Sequence, residues 1–169
     1  MRLFIGLPFG EDASRSFEGV QNLLKQLSRK GNFTAFENFH LTLAFLGEQS
    51  EERIPAVFAA LDELDFPPLD LTFTTLGRFD GGIWYLFPAY NETLFTCQAQ
   101  LAGTLSRYGF DLEDRPYIPH VTLGRKILLK EDAQIEESLY TPIPAHSIGP
   151  RLFLSHRVDG VLRYDPLEP

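Results

Sequence analysis

Two segments of the chain repeat the order histidine, apolar residue, threonine, leucine. The first is His40-Leu41-Thr42-Leu43, and the second, eighty residues later, is His120-Val121-Thr122-Leu123. Both lie in short apolar runs that predict β-strands, where successive side chains point to opposite faces. The histidine and threonine of each copy therefore share one face, while the apolar residues point to a core. If the two strands lie side by side, two imidazoles and two hydroxyls meet, a combination suited to acid–base chemistry on a phosphate.

The repetition is what favours a functional interpretation. A single His-x-Thr is well explained by a histidine bonded to a nearby carbonyl, with a threonine present for its β-strand preference. The two copies here share their order, their apolar neighbours and their place in a repeated series of elements. His146, in a segment between prolines, and His156, at a strand end, lack this context. For these two we predict surface or structural roles.

Metal binding is the main alternative use of two histidines. Catalytic zinc sites generally use three protein ligands, often in patterns such as H-E-x-x-H. Neither tetrad contains an acidic residue, so a ligand from elsewhere in the fold would be needed. The sequence also lacks the glycine-rich nucleotide-binding fingerprints and the G-x-S-x-G elbow of serine hydrolases.

Length, charge and cysteine content narrow the class of protein. The 169 residues suit one compact domain or two closely packed lobes. A net charge of −8 argues against a protein that tracks long nucleic acid, but it permits a pocket for one terminal phosphate. Cys97 is the only cysteine, so a disulfide is excluded. With no signal peptide or bilayer-spanning run recognised, a cytoplasmic location is expected.

The order strand, helix, histidine strand, helix, strand is predicted twice, over residues 1–80 and 81–169, with a turn at 80–82 between. The first helix is expected to start near Asp12 and to end before Gly31, and its counterpart is expected between Asn91 and Gly109. A polar helix from about residue 130 to 139, followed by a loop at 142–144, is predicted near the end.

This repetition predicts a single α+β domain with two lobes. Each lobe would hold a mixed or antiparallel sheet, the two being pseudo-symmetric, with helices outside and a central cleft. The sequence leaves open which strands pair across the lobes and whether strands are exchanged between halves.

The chain resembles the two-histidine (2H) phosphoesterase superfamily, and within it the bacterial and archaeal RNA 2′,3′-cyclic phosphodiesterases, also called 2′-5′ RNA ligases. The likeness is carried by the segments at 38–48, 115–125 and 163–167, and by the opening strand at 2–8. The paired H-x-T motif is specific to the superfamily, whereas the flanking residues indicate the RNA-end branch less strongly.

The resemblance implies hydrolysis of a 2′,3′-cyclic phosphate on an RNA 3′ end or nucleotide to a 2′-phosphate, with weak ligation in reverse. No metal or other cofactor would be needed. By the same resemblance, His40 is the general acid and His120 the general base, although the sequence leaves these roles exchangeable. Thr42 and Thr122 would bind the phosphate oxygens, and Arg125 would contact the phosphate.

Two aromatic residues are candidates for stacking on a terminal base. They are Phe39 and Tyr117, for which core packing is the other interpretation. Another small cyclic nucleotide or oligonucleotide end is an alternative substrate, and a non-catalytic module that binds phosphate or RNA ends is an alternative function. The protein is expected to act as a monomer and without a membrane.

Overall fold

The computed structural model describes residues 1–135 and 138–169 of the chain. The strands are β1 (Arg2–Pro8), β2 (Ser28–Phe33), β3 (His40–Glu48), β4 (Leu69–Phe79), β5 (Ile83–Pro88), β6 (Val121–Leu129), β7 (Ser138–Ser147), β8 (Arg151–Val158) and β9 (Val161–Pro166). The helices are α1 (Glu11–Gln26), α2 (Ile54–Asp62) and α3 (Glu92–Arg107), with short 3₁₀ turns at Phe36–Asn38 and Glu51–Arg53. None of the helices in the described ranges is both long enough and apolar enough to cross a bilayer.

The strands form one antiparallel sheet in the order β7-β4-β5-β6-β3-β1-β8-β9, and β2 pairs with β6 beside this path. Along this path, which leaves out β2, the sheet has two halves of four strands each, and they meet where β3 pairs with β6 at Leu41 and Val121. The predicted α+β class is confirmed. Strand β4 lies in the half that contains β5 to β7, while β8 and β9 lie beside β1. Strands are therefore exchanged between the two halves of the sequence, and a repeat boundary near residue 80 stays a prediction.

The two faces of the sheet differ because the strands alternate. In β3, Leu41 and Leu43 are buried, whereas His40 and Thr42 are only partly buried. In β6, Val121 and Leu123 are buried in the same way. The helices cover this apolar face, and burying each leucine or valine side chain stabilises the fold by about 1.5–3 kcal/mol. The opposite face is left for polar side chains.

The ends of α3 agree with the sequence, but those of α1 do not. The side-chain oxygen of Asn91 accepts a hydrogen bond from the Leu94 amide at 2.9 Å, and Gly109 follows the helix with φ +77°. Helix α1 instead has Gly10 at its N-cap and no capping side chain, so the cap expected at Asp12 was wrong. Gly31 does not follow α1 directly but lies within β2, a polar strand that alternation of apolar residues could not reveal.

The helix predicted over residues 130–139 was wrong in the described residues. Strand β6 continues to Leu129, a turn follows at 131–132, and β7 begins at Ser138. Residues 136 and 137 of that predicted helix lie outside the described residues. The loop predicted at Pro142 and Pro144 was also wrong, because both prolines lie within β7. Strand β7 ends the sheet order, and an edge strand tolerates a residue without an amide hydrogen.

The turn between β4 and β5 offers a test of the close packing against β6. Gly81 and Gly82 both have positive φ, but a β-carbon at Gly82 would lie 2.7 Å from the Ile127 carbonyl oxygen, whereas one at Gly81 meets open space. We expect Gly81→Ala to lower the free energy of unfolding by about 1–2 kcal/mol through backbone strain alone. Gly82→Ala should add an overpacking cost of about 1–3 kcal/mol. Urea unfolding of both variants measures the difference, and equal losses would contradict this packing.

Candidate active site

The two H-x-T motifs lie next to each other at the junction of the sheet halves. Because β3 and β6 are antiparallel and pair at Leu41 and Val121, the register extended by one residue places His40 opposite Thr122 and Thr42 opposite His120. Side chains directly opposite each other have β-carbons about 4.5–5.5 Å apart, and diagonal neighbours about 7–8 Å apart. The four polar side chains therefore share one small area of the open face, as the sequence predicted.

Backbone carbonyls orient both imidazoles in the same way. Nδ1 of His40 lies 2.7 Å from the carbonyl oxygen of Asn38, and Nδ1 of His120 lies 2.7 Å from that of Ile118. Because a carbonyl oxygen only accepts, Nδ1 carries the hydrogen in each neutral ring and Nε2 carries the lone pair. Nε2 of His40 is 3.0 Å from the Thr42 hydroxyl oxygen, which donates to it in this tautomer.

Two further hydrogen bonds hold the backbone around His40. The buried Asn38 side chain donates from Nδ2 to the Leu162 carbonyl at 2.9 Å, which ties the 3₁₀ turn to β9. The Tyr117 hydroxyl donates to the Thr42 carbonyl at 3.0 Å. The segment that precedes each histidine is thus fixed to the opposite half of the sequence.

Aromatic rings enclose His40. Its ring centroid lies 4.7 Å from that of Phe4 and 5.0 Å from that of Tyr164, the latter edge-on. The ring extends over Gly6 of the neighbouring strand, where an added β-carbon would lie only 3.1 Å from the imidazole Cδ2. The glycine therefore provides the space that this ring orientation needs.

His120 has a different aromatic environment. Its ring centroid lies 5.3 Å from that of Phe79 and 5.4 Å from that of Tyr85, and those two rings stack on each other at 4.2 Å. The two histidines, although related by sequence repetition, thus have different neighbours.

The surroundings lower the pKa of both imidazoles. Burial lowers the pKa of His40 to about 4, with further lowering by the charges of His120 and Arg125, against the raising effect of the Asn38 carbonyl. Burial also lowers the pKa of His120, opposed by the Ile118 carbonyl and assisted by two arginine charges. Near neutral pH both rings are therefore mainly neutral in the unliganded protein.

A β-bulge brings Arg125 to the same face. Thr122 lies opposite Tyr85 but Gly124 lies opposite Trp84, so β6 has one extra residue between them. An extra residue of this kind changes which way the following side chains point. Leu123 and Gly124 are accordingly both buried, and Arg125 is exposed. Its positive charge contributes to the lowered pKa of both histidines, which places it within their electrostatic reach.

The first motif has the same bulge at the corresponding place. Thr42 lies opposite Gly6 and Ala44 lies opposite Ile5, which again leaves one extra residue in between. The residue that corresponds to Arg125 is Phe45, whose exposed fraction is 43%. Its ring centroid lies 6.2 Å from that of Phe4, beside the His40 ring. Phe45 was not among the predicted site residues, although it is identified by comparing the two repeats at the position three residues after each threonine.

The two residues proposed for base stacking occupy different environments. Phe39 is 4% exposed and packs edge-on against Phe17 and Phe36 in the core, so its stacking role is contradicted. It precedes His40 by one residue and therefore faces the helices. Tyr117 is half-buried, with its ring edge-on to Phe95. For Tyr117, stacking on a base stays a prediction.

The remaining histidines pair with carboxylates elsewhere. Nδ1 of His146 lies 2.7 Å from an Asp70 oxygen, and Nε2 of His156 lies 2.5 Å from an Asp165 oxygen. His146 is in β7 rather than in the loop predicted there. Throughout residues 1–135 and 138–169, no group of three or more histidine, cysteine or acidic side chains is placed to hold a metal ion.

The depressed pKa of His40 has a consequence for stability. The folded-state pKa of about 4 lies below the ordinary value of 6.5, so unfolding takes up a proton as the pH falls through this interval. The contribution of the neutral His40 imidazole to the free energy of unfolding is present above pH 6.5 and is lost as the pH falls towards 4. Between pH 7 and pH 4 we expect the wild type to lose about 3 kcal/mol relative to His40→Gln. Urea unfolding of both proteins across this range measures it, and parallel curves would contradict a buried neutral imidazole.

Comparisons with known proteins agree with the geometry. The model of a family described as LigT like Phosphoesterase matches residues 9–85. A protein of Archaeoglobus fulgidus named RNA 2′,3′-cyclic phosphodiesterase is 32% identical over 132 residues, which cover 74% of this chain and 72% of that protein. A protein of the same name from Escherichia coli is 30% identical, with 82% and 78% covered. The crystal structure of E. coli LigT complexed with 3′-AMP superposes with a TM-score of 0.83 at 25% identity, covering 99% of this chain and 95% of that one.

Proposed function

The chain belongs to the LigT-like phosphoesterase family, and we propose that it hydrolyses 2′,3′-cyclic phosphates on RNA 3′ ends or nucleotides to 2′-phosphates. The observation that carries this proposal is the pairing of the two histidine strands at Leu41 and Val121. Relatives that cover most of the chain bear the name RNA 2′,3′-cyclic phosphodiesterase, and E. coli LigT has been solved with a mononucleotide.

The chemistry needs one imidazole as a base and one as an acid. A neutral ring takes a proton from water at Nε2 while the water oxygen attacks phosphorus. As the bond from phosphorus to O3′ breaks, a protonated second ring gives its Nε2 proton to that oxygen. Following the family resemblance, we assign the acid to His40 and the base to His120. Proton transfer by such a group contributes on the order of 10²- to 10⁴-fold in rate.

The threonines and Arg125 are proposed to hold the phosphate. Each threonine hydroxyl lies opposite a histidine in the register, and in the unliganded site the Thr42 hydroxyl bonds the His40 ring. A bound phosphate would accept that hydroxyl hydrogen instead, which would free Nε2 for proton transfer. The guanidinium of Arg125 would stabilise the negative charge that develops on the non-bridging oxygens.

The reverse assignment, with His120 as acid and His40 as base, is a second candidate. Burial and nearby positive charge lower the pKa of both imidazoles, so neither ring is singled out as the acid. A bound phosphate anion raises the pKa of both rings, so the ring that is protonated in the complex depends on the position of the anion.

We assign base stacking to Phe45 rather than to Phe39. Its ring is exposed on the face of the motifs and lies beside Phe4, which contacts His40. Stacking of a base on an aromatic side chain stabilises a complex by about 1–3 kcal/mol. A purely binding role for the site is less consistent with its chemistry, because two mainly neutral imidazoles add little to phosphate affinity.

Replacement of each histidine tests the proposal. We expect His40→Ala and His120→Ala to reduce kcat for adenosine 2′,3′-cyclic monophosphate by about 10²- to 10⁴-fold, because each removes a proton-transfer group. The wild-type product should be the 2′-phosphate, identified by chromatography against both isomers. His146→Ala is the matched control and should keep full activity. A 3′-phosphate product would assign the leaving oxygen to O2′, and turnover unchanged in either site variant would remove that residue from the mechanism.

Chelation of metal ions should leave the activity intact. Loss of activity that zinc restores would favour the metal alternative.

The lowered pKa values predict the pH dependence of kcat/KM. The reaction requires one protonated ring, and a lowered pKa means that this proton is lost at lower pH. We therefore expect kcat/KM to fall as the pH rises, with the decline starting below pH 6.5. The residual activity of the variant that lacks the acid should lose this alkaline decline, which identifies the acid. A decline centred above 6.5 in the wild type would contradict the buried environment of the site.

A further inference from the structure

Three arginines near the candidate site have no carboxylate partner among the described residues. Four other arginines of the described residues form ion pairs with glutamates, and these are Arg15, Arg29, Arg107 and Arg115. In the same part of the chain, the other seven arginines have no carboxylate oxygen within 4.0 Å, and three of these, Arg2, Arg125 and Arg157, lie close enough to Tyr164 to affect its pKa. All three are exposed. In a protein with a net charge of −8, exposed cations near a phosphate site that have no carboxylate partner among the described residues indicate recognition of anions.

The strand register places Arg2 and Arg157 on the same face as the histidines. Arg2 lies opposite Ser155, and Ser155 lies opposite Tyr164, so one row of side chains crosses β1, β8 and β9. Phe4, two residues along β1 from Arg2, contacts the His40 ring from this face. Arg157 follows Ser155 by two residues and therefore points the same way.

Tyr164 connects the two arginines to the catalytic area. Its ring lies edge-on to that of His40, with centroids 5.0 Å apart. Burial raises the pKa of Tyr164, and the charges of Arg125, Arg2 and Arg157 act against that rise. All three guanidinium groups therefore lie within electrostatic reach of one aromatic ring that itself contacts an imidazole.

Arg2 lies a short distance along β1 from the two histidine motifs. Arg2 lies four residues from Gly6 along β1, and Gly6 lies beneath the His40 ring. Four residues of a strand span about 13 Å, a distance that a nucleotide or two of extended RNA covers. Glu48, opposite Arg2 in the register, has its carboxylate 3.2 Å from the Met1 amino nitrogen.

From this arrangement we infer that Arg2 and Arg157 bind the backbone phosphate that precedes the reacting nucleotide, so that the site selects oligonucleotide ends over cyclic mononucleotides. This inference rests on the proposed function. With the cyclic phosphate held between the histidines, the 5′ side of the nucleotide would extend along the open face. On that face Tyr164 contacts His40 and lies within electrostatic reach of the two guanidinium groups. Arginine suits this role because its planar fork matches phosphate oxygens. The acidic remainder of the surface limits the contact to a short segment of RNA.

The test compares a mononucleotide with short oligonucleotides. Substrates are adenosine 2′,3′-cyclic monophosphate and an adenosine dinucleotide with the same cyclic end, and enzymes are the wild type and Arg2→Gln/Arg157→Gln. We expect the wild type to have a kcat/KM at least about 10-fold higher for the dinucleotide, as charge-assisted hydrogen bonds to one phosphate provide. The double variant should lose this preference and keep mononucleotide turnover. Arg15→Gln, whose guanidinium pairs with Glu11 on α1, is the control and should change neither value.

A modified substrate tests the same contact without changing the protein. A dinucleotide with an uncharged methylphosphonate linkage should be hydrolysed by the wild type no faster than the mononucleotide. The substrate test is needed because an Arg157 nitrogen also donates to the Gly160 carbonyl at 2.7 Å, so replacement of Arg157 alters a turn as well as the proposed phosphate contact. Arg2→Gln alone should lose part of the preference.

Three results would overturn the inference: equal kcat/KM for both substrates in the wild type, an unchanged preference in the double variant, or equal use of the charged and uncharged linkages. Failure of the proposed function is a separate result, since the wild type would then hydrolyse neither cyclic phosphate.

Discussion

The site depends on one short contact between the two halves of the sheet. Strands β3 and β6 pair at Leu41 and Val121, and no other residue pair joins them in the described part of the ladder. Because side chains alternate along each strand, this single pairing determines that both histidines and both threonines reach the same face. It also determines that the leucines beside them enter the core. A shift of either strand by one residue would exchange these faces and bury polar groups, so the apolar core stabilises the register that the chemistry needs.

Burial beside this contact has two effects on the imidazoles. The aromatic rings around His40 stabilise its neutral form, and the Asn38 carbonyl selects the tautomer whose lone pair is on Nε2. The arginines nearby favour binding of an anion and at the same time disfavour a second positive charge on the rings. The two imidazoles are thus neutral and oriented. The negative charge of a bound phosphate then favours protonation of one ring.

Much of this arrangement could be predicted from the sequence, for physical reasons. Alternation in the histidine strands showed which side chains share a face, and Asn91 and Gly109 marked the ends of α3, because these signals are local. The polar strand β2 and the proline-containing strand β7 could not be predicted, since both are defined by pairing with distant strands. The core position of Phe39 follows from alternation once His40 faces outward. The bulges that turn Arg125 and Phe45 towards the site depend on neighbouring strands, and the sequence indicates them only when the two repeats are compared.

The exchange of strands between the sheet halves has a consequence for how the protein is synthesised. Strand β1 pairs on one side with β8, which is made about 150 residues later. The half of the sheet that holds His40 therefore remains incomplete until β8 and β9 have emerged from the ribosome. Closing such long loops is slow compared with the formation of local hairpins. Folding of this half is accordingly expected to wait for the synthesis of β8 and β9, and nascent or truncated fragments that lack these strands would expose unpaired strand edges.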